Sequence, residues 1–525
     1  MNDQSTSRGG ATFRSLGLTV AGIAAALIGV ALLRPSAPQA RDAAKPALAA
    51  PPTGQTKGSS TAPKMAEAKP DAKTAPKTGT GPAAIPTTAE PRATVSARRA
   101  APEQVKPSMK IQQVTSPGGI KAWLVEEHSV PLLAVRFSFD GGSSQDPAGK
   151  EGVANFLTAM MDEGAGDLDH TKYQERMEEL AMRMSFTDDA DVMYGSFETL
   201  TANRDAAVDM LRLAITKPRF DQEAVERIRK QLLSGLAFAA KNPDRVVQRE
   251  WSALAFKGHS YGRPANGTPA TVAAITRDDL VAFRQKNFAR DTLHVGVVGD
   301  ISAAELGVLL DRVFGDLPAK ADITPVGDAA PDAKDKLKII EMDVPQSVVR
   351  FGMNALPRKD KDFMAAYVLN QILGGGGFAS RLMEEVREKR GLAYSVYSYI
   401  QPMRRASIFA GGVATKNEAV AQSIDVIKQE LTRMAADGPS QTELDNAKSY
   451  LTGSFPLQLD TNAKIANRLL WMQLEDTGID YIDTRNAQID AVTLDDVKRV
   501  AKRLLKVDDL IITVVGKPKG LAPRG

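Results

Sequence analysis

The chain carries one stretch twice, and that duplication limits its architecture more than any other feature. VAAITRDDLVAFRQKNFARDTLHVGVVGD, from Val272 to Asp300, aligns with IDAVTLDDVKRVAKRLLKVDDLIITVVGK, from Ile489 to Lys517, at a constant offset of 217 residues. Both copies read as an Asp-Asp helix start, an amphipathic helix, a short connector and a β-branched strand ending in Val-Val-Gly. Leu233-Ser234-Gly235 and Leu451-Thr452-Gly453 repeat at nearly the same offset. A period above 200 residues requires twin domains rather than a solenoid, whose repeats are a few tens of residues long.

Within each half the strand signals are alternating or apolar runs, such as Leu132 to Phe139 and Val348 to Met353. Long helical patterns, from Tyr173 to Met182 and from Glu223 to Ala240, lie between such runs without a regular strand-helix-strand beat. The pattern predicts an α+β fold in which each domain is a mostly antiparallel sheet with helices on one side. The Pro/Asp/Ala-rich stretch 318–336 divides an N-terminal domain, 107–317, from a C-terminal domain, 337–525.

A different kind of segment precedes these domains. Arg8 and Arg14 lie in a short flank, 1–15, ahead of the uncharged run Leu16 to Leu33, which as a helix is long enough to span a hydrocarbon core. Positive charge on the flank favours keeping it in the cytoplasm. The expectation is a bacterial inner-membrane anchor or signal segment with the globular part in the periplasm, tethered if uncleaved and free if cleaved. Prolines close behind the apolar run favour an uncleaved anchor. Residues 34–106 are dominated by Ala, Pro, Lys and Thr, which cannot bury enough apolar surface to fold, so they read as a disordered tether.

Composition then removes several chemistries. The net charge of +4 comes from the first 106 residues, which hold 14 Lys/Arg against 6 Asp/Glu; the remainder is slightly acidic and has no basic stripe for nucleic acid. There is no cysteine, so thiolate catalysis, disulfides and Cys-based metal sites are excluded. Of the four histidines, His128, His170, His259 and His294, no two have the spacing that sets both imidazoles on one helix face. His294, alternating with Leu293 and Val295, reads as a core or edge residue, and His170 beside Asp167 and Asp169 as an adventitious cation contact at most.

Three motifs give the chain a resemblance. Gly141-Gly142-Ser143-Ser144-Gln145-Asp146-Pro147 leads into Glu151-Gly152-Val153-Ala154-Asn155-Phe156-Leu157-Thr158-Ala159-Met160. Leu373-Gly374-Gly375-Gly376-Gly377-Phe378-Ala379-Ser380-Arg381-Leu382 is glycine-rich but lacks the Lys-Ser/Thr of a phosphate-binding loop. Arg387 and Tyr394 lie seven residues apart in REKRGLAYSVY. Together with the duplication they resemble the M16 peptidase family (pitrilysin/insulinase type, mitochondrial-processing-peptidase-like) over about residues 110–517.

In active members of that family a helix reads H-x-x-E-H and holds zinc, with a third ligand, a Glu, about 70 residues on. Here the corresponding positions are Asn155, Thr158 and Ala159, and the third falls near Ile228, with Glu226 the nearest carboxylate. The resemblance therefore implies a subunit with no metal of its own. It also implies that Gly374, Gly375, Gly376 and Gly377 lie beside the substrate path, that Arg387 binds a substrate carbonyl, and that Tyr394 donates a hydrogen bond as the scissile carbonyl becomes tetrahedral. The expected activity is that of the non-zinc subunit of a heterodimeric metallopeptidase. Its expected partners are a zinc-bearing M16 paralogue, a peptide or unfolded polypeptide substrate and, through the N-terminal helix, a membrane; no nucleic acid is expected. An inactive scaffold or binding protein in a membrane complex is the alternative, and an independent peptidase with a rearranged metal site a third reading.

Overall fold

The structure, a computed structural model, describes residues 109–332 and 336–523. The flank, the Leu16–Leu33 run and the 34–106 tether lie outside the described residues. Among the described residues no helix is long and apolar enough to cross a membrane.

Two sheets carry the fold. The first has strands β1 (Gln112–Thr115), β2 (Lys121–Glu126), β3 (Leu132–Asp140), β4 (Arg183–Asp188), β5 (Val192–Leu200) and β6 (Leu293–Gly299), in the order β1-β2-β6-β3-β5-β4. The second has β7 (Leu337–Glu341), β8 (Gln346–Asn354), β9 (Ala393–Pro402), β10 (Ser407–Lys416) and β11 (Ile511–Gly516), in the order β7-β11-β8-β10-β9. Apart from the extra edge strand β1, the second order repeats the first. In each sheet one pair is parallel, β2 with β6 and β7 with β11, and the remaining pairs are antiparallel.

The duplicated sequence is duplicated in its chemistry as well as its path. Thr276 and Thr493 each begin a helix with a reciprocal capping box, closed by Asp279 and Asp496 at the third helical position. Each box satisfies backbone donors that the helix start leaves unpaired. The strands that follow both end in a glycine with positive φ, 148° at Gly299 and 147° at Gly516. A Cβ at either position would run into the neighbouring strand, against Leu132 O or the Ser347 side chain. The expected α+β pair of mostly antiparallel sheets is thus the observed one.

Helices of each half pack on one face of that half's own sheet. Leu133, Val135, Phe137 and Phe139 of β3 point into the first core, and Val349, Phe351 and Met353 of β8 into the second. The opposite faces are covered by an exchange. Helix Pro243–Ala255, from the N-terminal half, lies on β8 and β11, where Trp251 is fully buried with Ile408, Ala410 and Ile511. Helix Asn462–Leu474, from the C-terminal half, lies on β3 and β6, burying Ala466 and Leu469 against Ala134 and Val298. Strands covered on both faces need side chains that are apolar on both, which is why Leu132 to Phe139 reads as a nearly continuous apolar run.

The stretch between the halves lies on both of them. Thr324 exchanges two hydrogen bonds with Gln145 (2.8 and 2.9 Å), Asp332 N donates to Ala255 O (2.9 Å), and Ala329 N donates to Arg405 O (2.6 Å). At the same boundary Arg404 pairs with Asp140 at 2.6 Å, and the Tyr261 hydroxyl donates to the Asp191 carboxylate at 2.7 Å.

Candidate functional site

The helix Val153–Met160 starts at Gly152, whose φ of 97° suits glycine. Its first turn is capped by the buried Asp146, which accepts from Gly152 N at 2.6 Å and Ala154 N at 3.0 Å. Where a zinc ion would need imidazoles, Asn155 Nδ2 donates to Asp188 Oδ1 (3.2 Å), and Thr158 Oγ1 donates to Asn155 O (2.9 Å) and lies 3.3 Å from the same Asp188 oxygen. Ala159 packs on the core and Ile228 is buried in it. Glu226 is engaged by Arg229 at 3.3 Å, and the Arg229 guanidinium stacks over the Phe156 ring. These residues do not fit a zinc ion: one amide, one hydroxyl and two hydrocarbon side chains stand at the ligand and base positions. Among the described residues no group of three His, Cys, Asp or Glu side chains could hold a metal.

The histidines are placed elsewhere. His294 lies on β6, half-buried and 4.0 Å from Asp140, with burial pulling its pKa down. His170 is 2.8 Å from Glu163, His128 is 2.7 Å from Asp300, and His259 Nε2 is 3.0 Å from Gly327 O.

The emptied metal helix leaves an electrostatic signature. Burial pushes Asp146 up to about 7, against the bonds from Gly152 and Ala154, and pushes Asp188 up to about 6, against the bonds from Asn155 and Thr158. A carboxyl whose folded pKa is raised binds its proton more tightly folded than unfolded. Its contribution to stability is therefore full below the unfolded value near 4 and is lost as pH rises to the folded value. Stability measured by urea unfolding is expected to fall between pH 4 and pH 7. Asp146→Asn should flatten that slope by up to about 4 kcal/mol, the equivalent of a shift of about three pKa units. A slope unchanged in Asp146→Asn would refute the assignment.

The other cluster is in the C-terminal half. Two π-helical turns, Gln371–Gly375 and Met383–Glu388, flank the short turn Gly377–Ala379. Such turns widen a helix by one residue and recur at functional sites. Gly377 adopts φ 57° in open space, whereas a Cβ on Gly374 would strike Ser398 of β9, and one on Gly375 would approach Asn370 Nδ2 to 2.8 Å. Gly376 is crowded by Gln371 O, where a Cβ would come to 2.7 Å. Three of the four glycines thus let the loop lie close to its own framework, and Gly377 alone faces open space.

Arg387 rises from the second π-helical turn, and Gly391, with φ 59°, ends that helix so that Tyr394 comes second in β9. The Arg387 guanidinium contacts two rings, 4.5 Å from the centroid of Phe378 and 5.1 Å from that of Tyr394. Both rings are otherwise open, at 69% and 76% exposure. Two of the carboxylates nearby, Glu385 and Glu384, are committed to other cations. Burial opposes the charge on Glu385, yet bonds from Lys389, Arg390 and Arg433 hold it down to about 2. Glu384 pairs with Lys389 at 2.9 Å, and Glu388 comes no closer than 3.7 Å to Arg387. Arg387 Nη1 is consequently buried without a hydrogen-bond partner. Arg387 thus contacts two aromatic rings and keeps one guanidinium donor, Nη1, without a hydrogen-bond partner.

The structure therefore joins the glycine-rich loop to Arg387 and Tyr394 through Phe378, a residue that sequence reasoning passed over as a motif neighbour. Its signal was an aromatic side chain directly after four glycines, where a turn would leave it exposed. No hydrogen bond, ion pair or ring contact joins this cluster to Asn155 and Thr158 among the described residues.

A duplicated α+β body with a zinc-less metal helix in one half and an arginine-tyrosine pair in the other defines the class. Residues 122–269 match the family described as Insulinase (Peptidase family M16), and residues 274–451 match Peptidase M16 inactive domain. These matches take up more than half of the sequence, and the chain belongs to the M16 family, as a member lacking the zinc motif.

Among individual relatives, it is 26% identical over 395 residues to the non-peptidase homolog YmxG of Helicobacter pylori, covering 75% of this chain and 91% of that one. It is 28% identical over 404 residues to an uncharacterized zinc protease of Streptomyces coelicolor, covering 75% and 87%. A crystal structure of a peptidase M16 inactive domain from Pseudomonas fluorescens superposes with a TM-score of 0.74 at 29% identity, covering 79% of this chain and all of that one. A protease from Helicobacter pylori shares the fold, with a TM-score of 0.70 at 19% identity over 78% and 99% of the two chains.

Proposed function

We propose that this chain is the non-zinc subunit of a two-chain M16 peptidase, lending Arg387 and Tyr394 to the active site of a zinc-bearing paralogue that cleaves unstructured peptides. The observation that carries the reading is the free edge of Arg387. The metal helix has been rebuilt with hydrogen-bonded and apolar side chains, while the arginine keeps an unpaired buried donor beside two exposed rings. Of the glutamates around it, Glu384 and Glu385 are taken by Lys389, Arg390 and Arg433, and Glu388 stands 3.7 Å from Arg387 Nη1, beyond hydrogen-bonding distance.

In such an assembly the partner supplies zinc, the attacking water and the base. Arg387 holds a substrate carbonyl by its edge, and the Tyr394 hydroxyl donates to oxygen as negative charge builds on it. Gly377 and Phe378 lie at the same opening and give an extended backbone a place to approach. Gly374 behind them keeps the loop close to β9. We also propose, from Leu16–Leu33 alone, that the body is held at the periplasmic face of the inner membrane.

The test is reconstitution. The chain alone should bind no stoichiometric zinc and cleave no peptide; mixed with an M16 paralogue bearing an intact H-x-x-E-H, it should form a stable complex that does. Stoichiometric zinc in the isolated chain would instead establish an independent peptidase. The description of one relative as a non-peptidase favours the second reading, a scaffold. It predicts stable association with a membrane complex and paralogue activity independent of this chain.

A further inference from the structure

A cavity of about 700 Å³ lies between the two halves, walled by β4 and β5 on one side and by C-terminal helices on the other. Its charge is one-sided. Five cationic side chains line it and no carboxylate does. Arg136 is paired with Glu198, and Lys464 with Asp460. The other three, Arg358, Arg468 and Arg485, have no carboxylate within hydrogen-bonding distance among the described residues. Glu475 comes nearest, 4.0 Å from Arg358 Nε; burial pushes its pKa up to about 8, against the opposing pull of Arg358.

These three guanidiniums are held by rings. Arg358 lies over Phe363 (4.5 Å), Tyr481 (5.1 Å) and Trp471 (5.2 Å). Arg468 lies over Trp471 (4.9 Å), and Arg485 over Phe455 (4.3 Å). Stacking covers guanidinium faces and leaves the in-plane donors to seek acceptors. Some find neutral ones: Arg468 donates to Gln458 Oε1 at 2.9 Å, and Arg485 to Leu451 O at 3.1 Å and Asn486 Oδ1 at 2.9 Å. Two do not, since Arg358 Nε and Trp471 Nε1 are buried donors without a partner. Unpaired buried donors are costly and uncommon in native proteins. Both Glu475 oxygens are likewise unpartnered beside Arg358, and three arginines with no carboxylate at hydrogen-bonding distance leave this cavity wall in want of an acceptor. The rest of the lining mixes hydroxyl and amide side chains with an apolar strip of Met364, Leu470 and Leu474, and Leu457 stands 71% exposed among the lining residues.

We infer that this cavity binds a small organic anion, a carboxylate or phosphate carrying an apolar chain or ring. Its headgroup meets the guanidinium groups of Arg358 and Arg468, and its apolar part lies along Leu457, Leu470 and Leu474. A cleft of one charge sign with low-dielectric walls concentrates counter-ions of the other sign. The site involves neither Arg387 nor the former metal helix, and its test is independent of any peptidase assay.

The full chain is titrated calorimetrically with decanoate, decyl phosphate, inorganic phosphate and decyltrimethylammonium, each below its micellar concentration. Saturable one-to-one binding is expected for decanoate or decyl phosphate, whichever headgroup fits, with weaker binding of inorganic phosphate and none of the ammonium. Arg468→Gln should weaken the anion by about tenfold or more, the usual loss for a charge-assisted hydrogen bond. Leu457→Asp, at an exposed position that folding tolerates, should do the same by placing a negative charge beside the ligand. Equal binding of the ammonium, equal binding of inorganic phosphate, no saturable binding of either decyl anion, or Leu457→Asp with wild-type affinity would each overturn the inference.

Discussion

Changing Arg387 to alanine and Tyr394 to phenylalanine in the reconstituted two-chain peptidase is expected to lower kcat/KM for peptide cleavage by about 10²-fold or more. The single changes should separate the roles. Tyr394→Phe keeps the ring that stacks on Arg387 and removes only the hydroxyl. Its loss should fall on kcat, because the oxygen it serves is charged only in the transition state. Arg387→Ala removes a donor that a ground-state carbonyl already uses, and should raise KM as well. Arg387→Lys is a sharp control: it keeps the charge but loses the planar contact with Phe378 and Tyr394, so it should rescue little. Complex formation monitored in parallel guards against a trivial loss of assembly. A pair that cleaves normally with both residues changed leaves them no role in catalysis.

Trp251→Ala should be the most damaging single change to stability, at about 3–5 kcal/mol. The indole is fully buried, and its Nε1 donates to Ile511 O at 3.1 Å. Gly352 has no side chain where a Cβ would come within 2.6 Å of the ring, and Arg350 stacks on it at 5.0 Å. The residue belongs to the N-terminal half, yet all of these partners belong to the C-terminal sheet. Chemical denaturation followed by signals from each half should show one shared transition, moved to lower denaturant. Two transitions, with only one displaced, would show that the halves unfold separately.

Much of this was legible in the sequence because it depended on local pattern. The capped helix and β-branched strand beginning at Thr276 and Thr493 are short-range features, and the 217-residue offset makes each evidence for the other. The absence of ligands at Asn155, Thr158 and Ala159 needs no coordinates, because their side chains lack the chemistry. What could not be read was set by distant contacts. Asp188 lies 30 residues or more from the side chains that bond it. Arg358, Arg468 and Arg485 are scattered over more than a hundred residues of the C-terminal half and meet only in the folded chain. The helices Pro243–Ala255 and Asn462–Leu474 were assignable to a half but not to the sheet they cover, since an amphipathic face does not name its partner.

The helix exchange also determines what a break in the backbone would do. A protease cutting between Pro318 and Asp332 would sever the covalent link but leave each fragment gripping the other: Trp251 would stay beneath β8 and β11, and Ala466 and Leu469 beneath β3 and β6. The nicked protein should run as one particle in native buffer and as two bands in detergent. Rocking one half away from the other would extract a buried helix at each end, so the body moves as a single block. In the proposed two-chain peptidase, a gate that admits a polypeptide would therefore have to lie at the contact with the partner chain, not within this one.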